Sequence, residues 1–288
     1  IEWYQRNTNG MLAPGVQLPA VVGASAPYQN TADMRTRGWE LSLNWRDQIG
    51  KVGYRIGFNL SDYKSEIIKY DDNAATKLLS SYYPGQTLGE IWGYVVDGYY
   101  TVDDFVDTSS WQLKEGVTSI NGYNVRPGDV KFKNLRDDDT STNVITSGDN
   151  TFDNPGDRKV IGNTTPRYQY GINLGMNYAG FDLNVILQGT GKRDYWISNV
   201  LTFPMNGDNF VPLFEGLSDY WMPKDPDNGD WSAVNPNAKY PRIYGNRGNS
   251  GSNLRQSDKY LSDASYLRIK NITLSYKLPK KWVNQIFL

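Results

Sequence analysis

Apolar and polar side chains alternate with a period of two in several separate segments of this chain. The clearest segments are residues 39–45, 54–61, 168–178, 181–188 and 272–278. Such alternation gives a strand one apolar and one polar face, so the pattern predicts five β-strands. Residues 1–7 predict a sixth strand. Leu267 and Ile269 are out of phase with Ile272, and a β-bulge near Lys270 and Asn271 would restore the phase.

The connections between the predicted strands alternate between short and long. Residues 46–52 and 179–180 are short links, whereas about a hundred residues separate the second segment from the third, and about seventy separate the fourth from the last. Outer-membrane barrels combine short periplasmic turns with long extracellular loops. The pattern therefore predicts an all-β, antiparallel transmembrane β-barrel, with extracellular loops at about 8–34, 64–166 and 196–264.

Aromatic residues cluster at both ends of the predicted strands, where amphipathic rings suit a membrane–water interface. At the short-turn ends they are Trp45, Tyr54, Tyr178, Phe181, Tyr276 and Trp282, and at the long-loop ends Trp39, Tyr63, Tyr168, Tyr170, Tyr195, Trp196 and Tyr266. A soluble or surface-attached glycan-binding β-sandwich remains the alternative, because its strands also alternate. Sandwiches rarely carry loops of this size, which favours the barrel.

Composition narrows the possible functions. The chain contains 14% aromatic residues at a mean hydropathy of -0.61, and no apolar run is long enough for a transmembrane helix. It has no Cys and no His, which removes thiolate metal sites and the commonest general base. A net charge of -1 gives no indication of nucleic-acid binding. Carboxylates such as Asp97, Asp103 and Asp104 show no spacing that fixes a glycosidase pair, so we expect no enzymatic activity.

Seven stretches resemble one family, the SusC/RagA-type TonB-dependent outer-membrane transporters. The resemblance covers most of the chain in family order, and its most specific part is the last stretch. The stretches are residues 26–30, 34–40, 91–99, 128–133, 157–163, 166–171 and 265–279.

The resemblance implies that residues 1–288 are a late part of one barrel domain of 22 strands, without the N-terminal plug and the remaining strands. It implies import of glycans, oligosaccharides or peptides across the outer membrane, with a SusD-like surface lipoprotein as lid and TonB as energy source. An autonomous channel is a further alternative. We expect Ile1–Arg6 and Tyr266–Leu278 to pair with strands outside this sequence.

Two sets of loop residues are candidates for binding. Aromatic rings outside the two belts are expected as a set to line part of the outer vestibule and stack on sugars or peptides, although for each ring by itself a place in a small core inside the loops is favoured. These rings are Trp92, Tyr94, Tyr99, Tyr100, Trp111, Trp221 and Trp231.

Oxygen-bearing side chains at alternate positions of an acidic loop are candidate ligands for Ca²⁺. The glycine within the loop and the closing glutamate of a calcium loop are missing, which favours a solvated acidic loop. These residues are Asp137, Asp139, Ser141 and Asn143. No other cofactor is expected.

Overall fold

The computed structural model describes residues 1–14, 23, 27–73, 76–78, 82–136, 143–197, 213–244, 251–280 and 282–283. Long strands form the main sheet: β1 (Glu2–Pro14), β2 (Tyr28–Ile49), β3 (Val52–Tyr70), β10 (Arg167–Tyr178), β11 (Phe181–Lys192) and β16 (Tyr266–Tyr276). The long connections carry β4 (Glu90–Tyr94), β5 (Val96–Tyr99), β6 (Ser119–Ile120), β7 (Val130–Phe132), β8 (Val144–Ile145), β9 (Arg158–Asn163), β12 (Asp194–Trp196), β13 (Pro223–Asp225), β14 (Asp230–Ala233) and β15 (Leu261–Asp263).

The main sheet is an antiparallel meander in the order β1-β2-β3-β10-β11-β16. All six predicted strands are confirmed. Ala179 and Gly180 connect β10 to β11 with positive φ angles of 48° and 90°, as a tight hairpin turn requires. Within the described residues the sheet is open, with β1 and β16 at its two edges.

The predicted bulge is present in β16. Ile186 of β11 pairs with Asn271, and the next residue, Leu187, pairs with Ile269, so Lys270 is the extra residue. The bulge shifts the phase of the strand by one position. As a result, Leu267 and Ile269 share a face with Ile272 in spite of the interruption in the alternation.

The strands extend further than the alternation predicted. Residues 8–14 and 28–34, which were included in the first predicted loop, belong to β1 and β2, and residues 64–70 belong to β3. These extensions are less regular in their alternation. Backbone pairing continues there because it does not depend on which side chains face outward.

One face of the sheet is a continuous apolar surface. Across the strands, Leu43 pairs with Phe58, Phe58 with Ile172, and Ile172 with Leu187. The neighbouring row runs through Trp45, Ile56, Leu174, Val185 and Ile272. Leu43 is 55% exposed and Ile272 59% exposed, although both are large apolar residues. An exposed apolar face of this extent is characteristic of a surface that contacts another apolar phase.

The opposite face is polar and mostly uncharged. Its rows include Ser42 beside Asn59, Asn44 beside Gly57, and Asn177 between Gly53 and Asp182. Above this face lies a cavity of about 600 Å³ whose walls include Glu40, Asn59, Gln169 and Gln188. Within the described ranges, no helix is long and apolar enough to cross a membrane.

Candidate functional site

The described parts of the two longest connections, residues 71–166 and 193–265, pack together into one folded layer, which we call the loop layer. The backbone N–H of Tyr94 donates to the carbonyl of Gln256 at 2.9 Å, and that of Val96 to Asp258 Oδ1 at 2.9 Å. The hydroxyl of Tyr99 donates to the carbonyl of Ala238 at 2.9 Å. These bonds join residues far apart in sequence, so each connection orders the other.

The loop layer has an apolar core of its own. Eight buried residues form its largest cluster: Tyr94, Tyr100, Phe105, Ile120, Val125, Val130, Phe132 and Ile145. Short strands bring them together, because β5 pairs with β7 and β6 pairs with β8. This burial stabilises the conformation of the loops in the same way as the core of a small soluble domain.

A buried carboxylate connects the two long loops. Asp129 is 1% exposed and accepts hydrogen bonds from Tyr244 Oη at 2.5 Å and Asn253 Nδ2 at 3.0 Å. The backbone N–H of Arg126 is a third donor at 2.8 Å. Burial raises the pKa of Asp129 above its ordinary value, while these donors and the charge of Arg242 oppose the rise. Tyr244 and Asn253 lie in the second long loop, so we call this group the Asp129 latch.

Four of the seven candidate aromatic residues are buried in the loop layer: Trp92, Tyr94, Tyr100 and Trp221. The indole N–H of Trp92 donates to Glu90 at 2.9 Å, and the hydroxyl of Tyr100 donates to the carbonyl of Thr118 at 2.6 Å. Burial raises the pKa of the Tyr100 phenol. These four side chains contribute to packing within the loops.

Tyr99, Trp111 and Trp231 are the candidate rings that remain partly exposed. Trp111 and Trp231 meet edge to face, with ring centroids 5.0 Å apart. The guanidinium of Arg126 lies 5.4 Å from the Trp111 ring centroid, on the first long loop. Trp111 also has a φ of 55°, an unfavourable conformation for a bulky residue. Substrate binding by the seven rings stays a prediction, and these three are the members that a solute could reach.

The candidate calcium ligands Asp137, Asp139 and Ser141 lie outside the described residues. Asn143 is described, and its amide donates to the carbonyl of Gly116 and accepts a bond from Asn134, each at 2.8 Å. Among the residues that the structure describes, no group of three or more His, Cys, Asp or Glu side chains could hold a metal ion. The calcium site stays a prediction.

The base of the acidic loop is held by a second buried carboxylate. Asp157 is fully buried and accepts hydrogen bonds from the backbone N–H of Leu135 at 2.8 Å and of Thr146 at 2.7 Å. These two residues lie on either side of the acidic stretch, so one side chain fixes both of its ends.

The carboxylates considered for a glycosidase are engaged separately. Asp104 pairs with Lys131 at 3.0 Å, and Asp97 lies 3.8 Å from Lys133. Asp104 also accepts a hydrogen bond from the backbone N–H of Thr101 at 2.7 Å. Asp97 and Asp104 thus each have a structural partner of their own.

The sequence did not identify the partners of Asp129. Gly128–Lys133 is part of the family resemblance, but Tyr244 and Asn253 are more than a hundred residues away along the chain. No local pattern marks them. The available signal was the set of polar side chains between aromatic residues in the second long loop, and that set alone does not predict a contact.

On the polar face of the sheet, Arg55 reaches across β10 to Asp182 on β11, at 3.2 Å. Its side chain passes over Gly175, where a Cβ atom would lie 2.2 Å from Arg55 Nε. This charged bridge crosses a face that is otherwise lined mainly by amides and hydroxyls. Both residues stand at polar positions of the alternating segments 54–61 and 181–188, but the alternation does not predict their contact.

The chain resembles three curated proteins along almost all of its length, while no family model matches it. Two of them, the TonB-dependent receptors P3 and P26 of Formosa agariphila, are 25% and 23% identical over 99% and 97% of this chain. The chain spans 26% of the length of each of these two relatives.

Solved structures with the same fold include the RagAB peptide importer in its closed-closed and open-open states. Both superpose on this chain with a TM-score of 0.64, at 20% and 21% sequence identity. The superposition covers 97% of this chain and 27% or 26% of the longer one. The six-stranded sheet and its loop layer therefore share the fold of one segment of a much larger protein.

Proposed function

We propose that this chain, which resembles the SusC/RagA-type TonB-dependent transporters of the outer membrane, supplies barrel wall and outer loops to a nutrient importer. The solute is an oligosaccharide or a peptide, and no covalent chemistry takes place on it. The complete protein closes the sheet into a barrel of 22 strands, whose remaining strands pair with β1 and β16.

The main support for this proposal is the division of the sheet into two chemically different faces. Leu43, Phe58, Ile172 and Leu187 form one apolar row across four strands, and the opposite face carries Ser42, Asn59 and Gln188. Lipid solvates the first kind of surface, and a hydrated solute or a plug forms hydrogen bonds with the second. A β-sandwich would instead cover its apolar face with a second sheet. Within the described residues, every sheet other than the main one has two strands.

The loop layer supports the solute-binding part of the proposal. Tyr99, Trp111 and Trp231 lie on folded loops with a buried core, which holds the rings in place before a solute arrives. In the complete importer, a SusD-like surface lipoprotein covers these loops and TonB supplies energy from the periplasmic side. The family resemblance supports both partners. The peptide importers of the same fold make peptides as reasonable a substrate class as glycans.

Sidedness is the first test of this function. Ser109 is exposed in the loop layer, and Gly50 lies in the turn between β2 and β3. The two test variants are Ser109→Cys and Gly50→Cys. In whole cells that express the full-length transporter, a membrane-impermeant maleimide should label Cys at 109 and leave Cys at 50 unlabelled until the outer membrane is opened. Labelling confined to position 50 would reverse the proposed orientation.

Uptake is the second test. A strain without the gene should lose growth on the transported oligosaccharide or peptide when that solute is the sole nutrient, and the full-length gene should restore growth. A proton uncoupler should stop accumulation, because the energy comes from the inner membrane. Uptake that continues unchanged after uncoupling would indicate an autonomous channel.

A further inference from the structure

A cleft of about 540 Å³ opens at the seam between the two long loops. Its volume lies in the range of small-molecule binding sites. Tyr94 and Ile145 supply the apolar part of its wall, and Asn121, Thr146, Asp149 and Arg255 supply the polar part. Arg255 comes from the second long loop, and the other lining residues come from the first. We call this space the Arg255 cleft.

The guanidinium of Arg255 is held in a fixed place. Its central carbon lies 5.2 Å from the ring centroid of Tyr94 and 5.2 Å from that of Tyr123. The residues after it are bound to the first loop, because the carbonyl of Gln256 accepts the Tyr94 N–H and Ser257 forms a parallel β-bridge with Tyr94. A guanidinium ordered in this way loses little further freedom when a ligand binds.

The charges around the cleft are unbalanced. Among the described residues, no carboxylate lies within 4 Å of Arg255, although Asp149 lines the same cleft. A second cation, Arg158, is buried behind the wall, and its Nη2 donates to the carbonyl of Ser147 at 2.8 Å. Burial and the charge of Arg255 lower the pKa of Arg158. Arg255 and Asp149 are therefore the charged residues that line the cleft, and Arg158 adds a second positive charge behind its wall.

We propose that the Arg255 cleft binds a carboxylate group of the imported solute and so determines which solutes are selected. This inference rests on the proposed transport function. A guanidinium is planar and binds a carboxylate through two parallel N–H···O bonds. The two tyrosine rings leave the edge of the guanidinium as its hydrogen-bonding side. Asp149 accepts a hydroxyl or N–H of the same solute from across the cleft. The carboxylate belongs to an acidic side chain of a peptide or to a uronic acid of a saccharide.

The test uses two pairs of probes, each differing only in one kind of group. The first pair is a pentapeptide with blocked ends and a central glutamate, and its glutamine counterpart. The second pair is tetragalacturonate and its methyl ester. Binding of each probe to the purified full-length transporter in detergent is measured by calorimetry. We expect the acidic member of one pair to bind at least about tenfold more tightly than its neutral member, as for hydrogen bonds between charged groups.

Two substitutions test whether Arg255 causes the preference for the acidic probe. Arg255→Gln should reduce it to less than about twofold. Lys239→Gln is the matched control, because it removes an exposed loop cation that also stacks on a tyrosine, 5.2 Å from the Tyr240 ring centroid, and it should leave the preference unchanged. Equal binding of acidic and neutral probes by the unsubstituted transporter overturns the proposal, even where Arg255→Gln disturbs the loops. A preference that survives Arg255→Gln overturns it as well.

The proposal and the proposed function can fail independently. A transporter that imports its solute but binds both members of each pair equally retains the function and loses the carboxylate site. A protein that binds an acidic probe through Arg255 but supports no uptake retains the site and loses the transport role. The pair that shows the preference identifies the source of the carboxylate as peptide or saccharide.

Discussion

The main sheet and the loop layer treat apolar side chains in opposite ways. In the sheet, Leu43 is 55% exposed and Leu174 37% exposed, and neither packs in a core of this chain. In the loop layer, Phe132 and Tyr100 are fully buried among aromatic neighbours. The sheet thus depends on a surrounding apolar solvent, whereas the loop layer buries its apolar residues as a soluble domain does.

The two regions also differ in how their sequence specifies their structure. In the sheet, each residue's face follows from its position in a period of two, and pairing is between neighbouring strands. In the loop layer, strands of only two to six residues are held by contacts between distant residues, such as Asp129 with Tyr244 and Asn253. A shift of the apolar–polar alternation by one residue should therefore damage the sheet most. The loss of one buried polar group should damage the loop layer most.

Deleting one residue gives the largest expected effect. Deletion of Asn173 would move Leu174 and Met176 in β10 onto the polar face, so we expect the full-length transporter to fail to assemble. Deletion of Lys270 removes only the bulge residue of β16 and keeps Ile269 and Ile272 on the apolar face, so we expect a folded barrel. Heat-modifiable migration in gels measures assembly. Equal assembly of the two deletion variants would contradict the assigned register.

Removing the Asp129 latch should be the most damaging single substitution in the loop layer. Asp129→Ala removes the acceptor of Tyr244 Oη and Asn253 Nδ2, at a cost of about 1–3 kcal/mol for each donor that is left buried without a partner. Hydrogen exchange should become faster in both long loops and stay unchanged in the main sheet. Asp97→Ala is the control, since that side chain is 51% exposed and its partner Lys133 is 3.8 Å away. Faster exchange in only one loop would show that the latch does not join them.

The sequence predicted most of the sheet because period, turn length and faces are local properties. It predicted the bulge from the phase of Leu267, Ile269 and Ile272. It did not predict the strand extensions such as residues 28–34, where alternation is weak but backbone pairing persists. The contacts of the loop layer could not be predicted, because Arg255 and Tyr94 are brought together only by the fold of both loops.

The two faces of the sheet should respond differently to charge. Leu43→Arg and Leu174→Arg place a cation toward lipid, with an expected cost of about 2–4 kcal/mol. The adjacent substitutions Asn44→Arg and Asn173→Arg place the same group on the polar face and should cost less. Folding of the full-length transporter into lipid vesicles, followed along a urea gradient, measures each free energy. Equal losses for the two pairs would contradict the assigned faces.

The smallest expected effect concerns the salt bridge between Arg55 and Asp182 on the polar face. Gly175→Ala introduces a Cβ atom where Arg55 crosses toward Asp182, so the guanidinium must leave its 3.2 Å contact. Both partners are more than one-third exposed, and solvent screening limits the loss to about 1 kcal/mol or less. Gly171→Ala is the matched control on the same strand, because its Cβ would meet only the carbonyl of Leu187 at 3.9 Å. Since both substitutions add one methyl group, the difference between their unfolding free energies in lipid isolates the displacement of Arg55. If the Gly175→Ala and Gly171→Ala variants have equal unfolding free energies, the salt bridge between Arg55 and Asp182 does not stabilise the sheet. The two residues then contribute only their charges to the polar face.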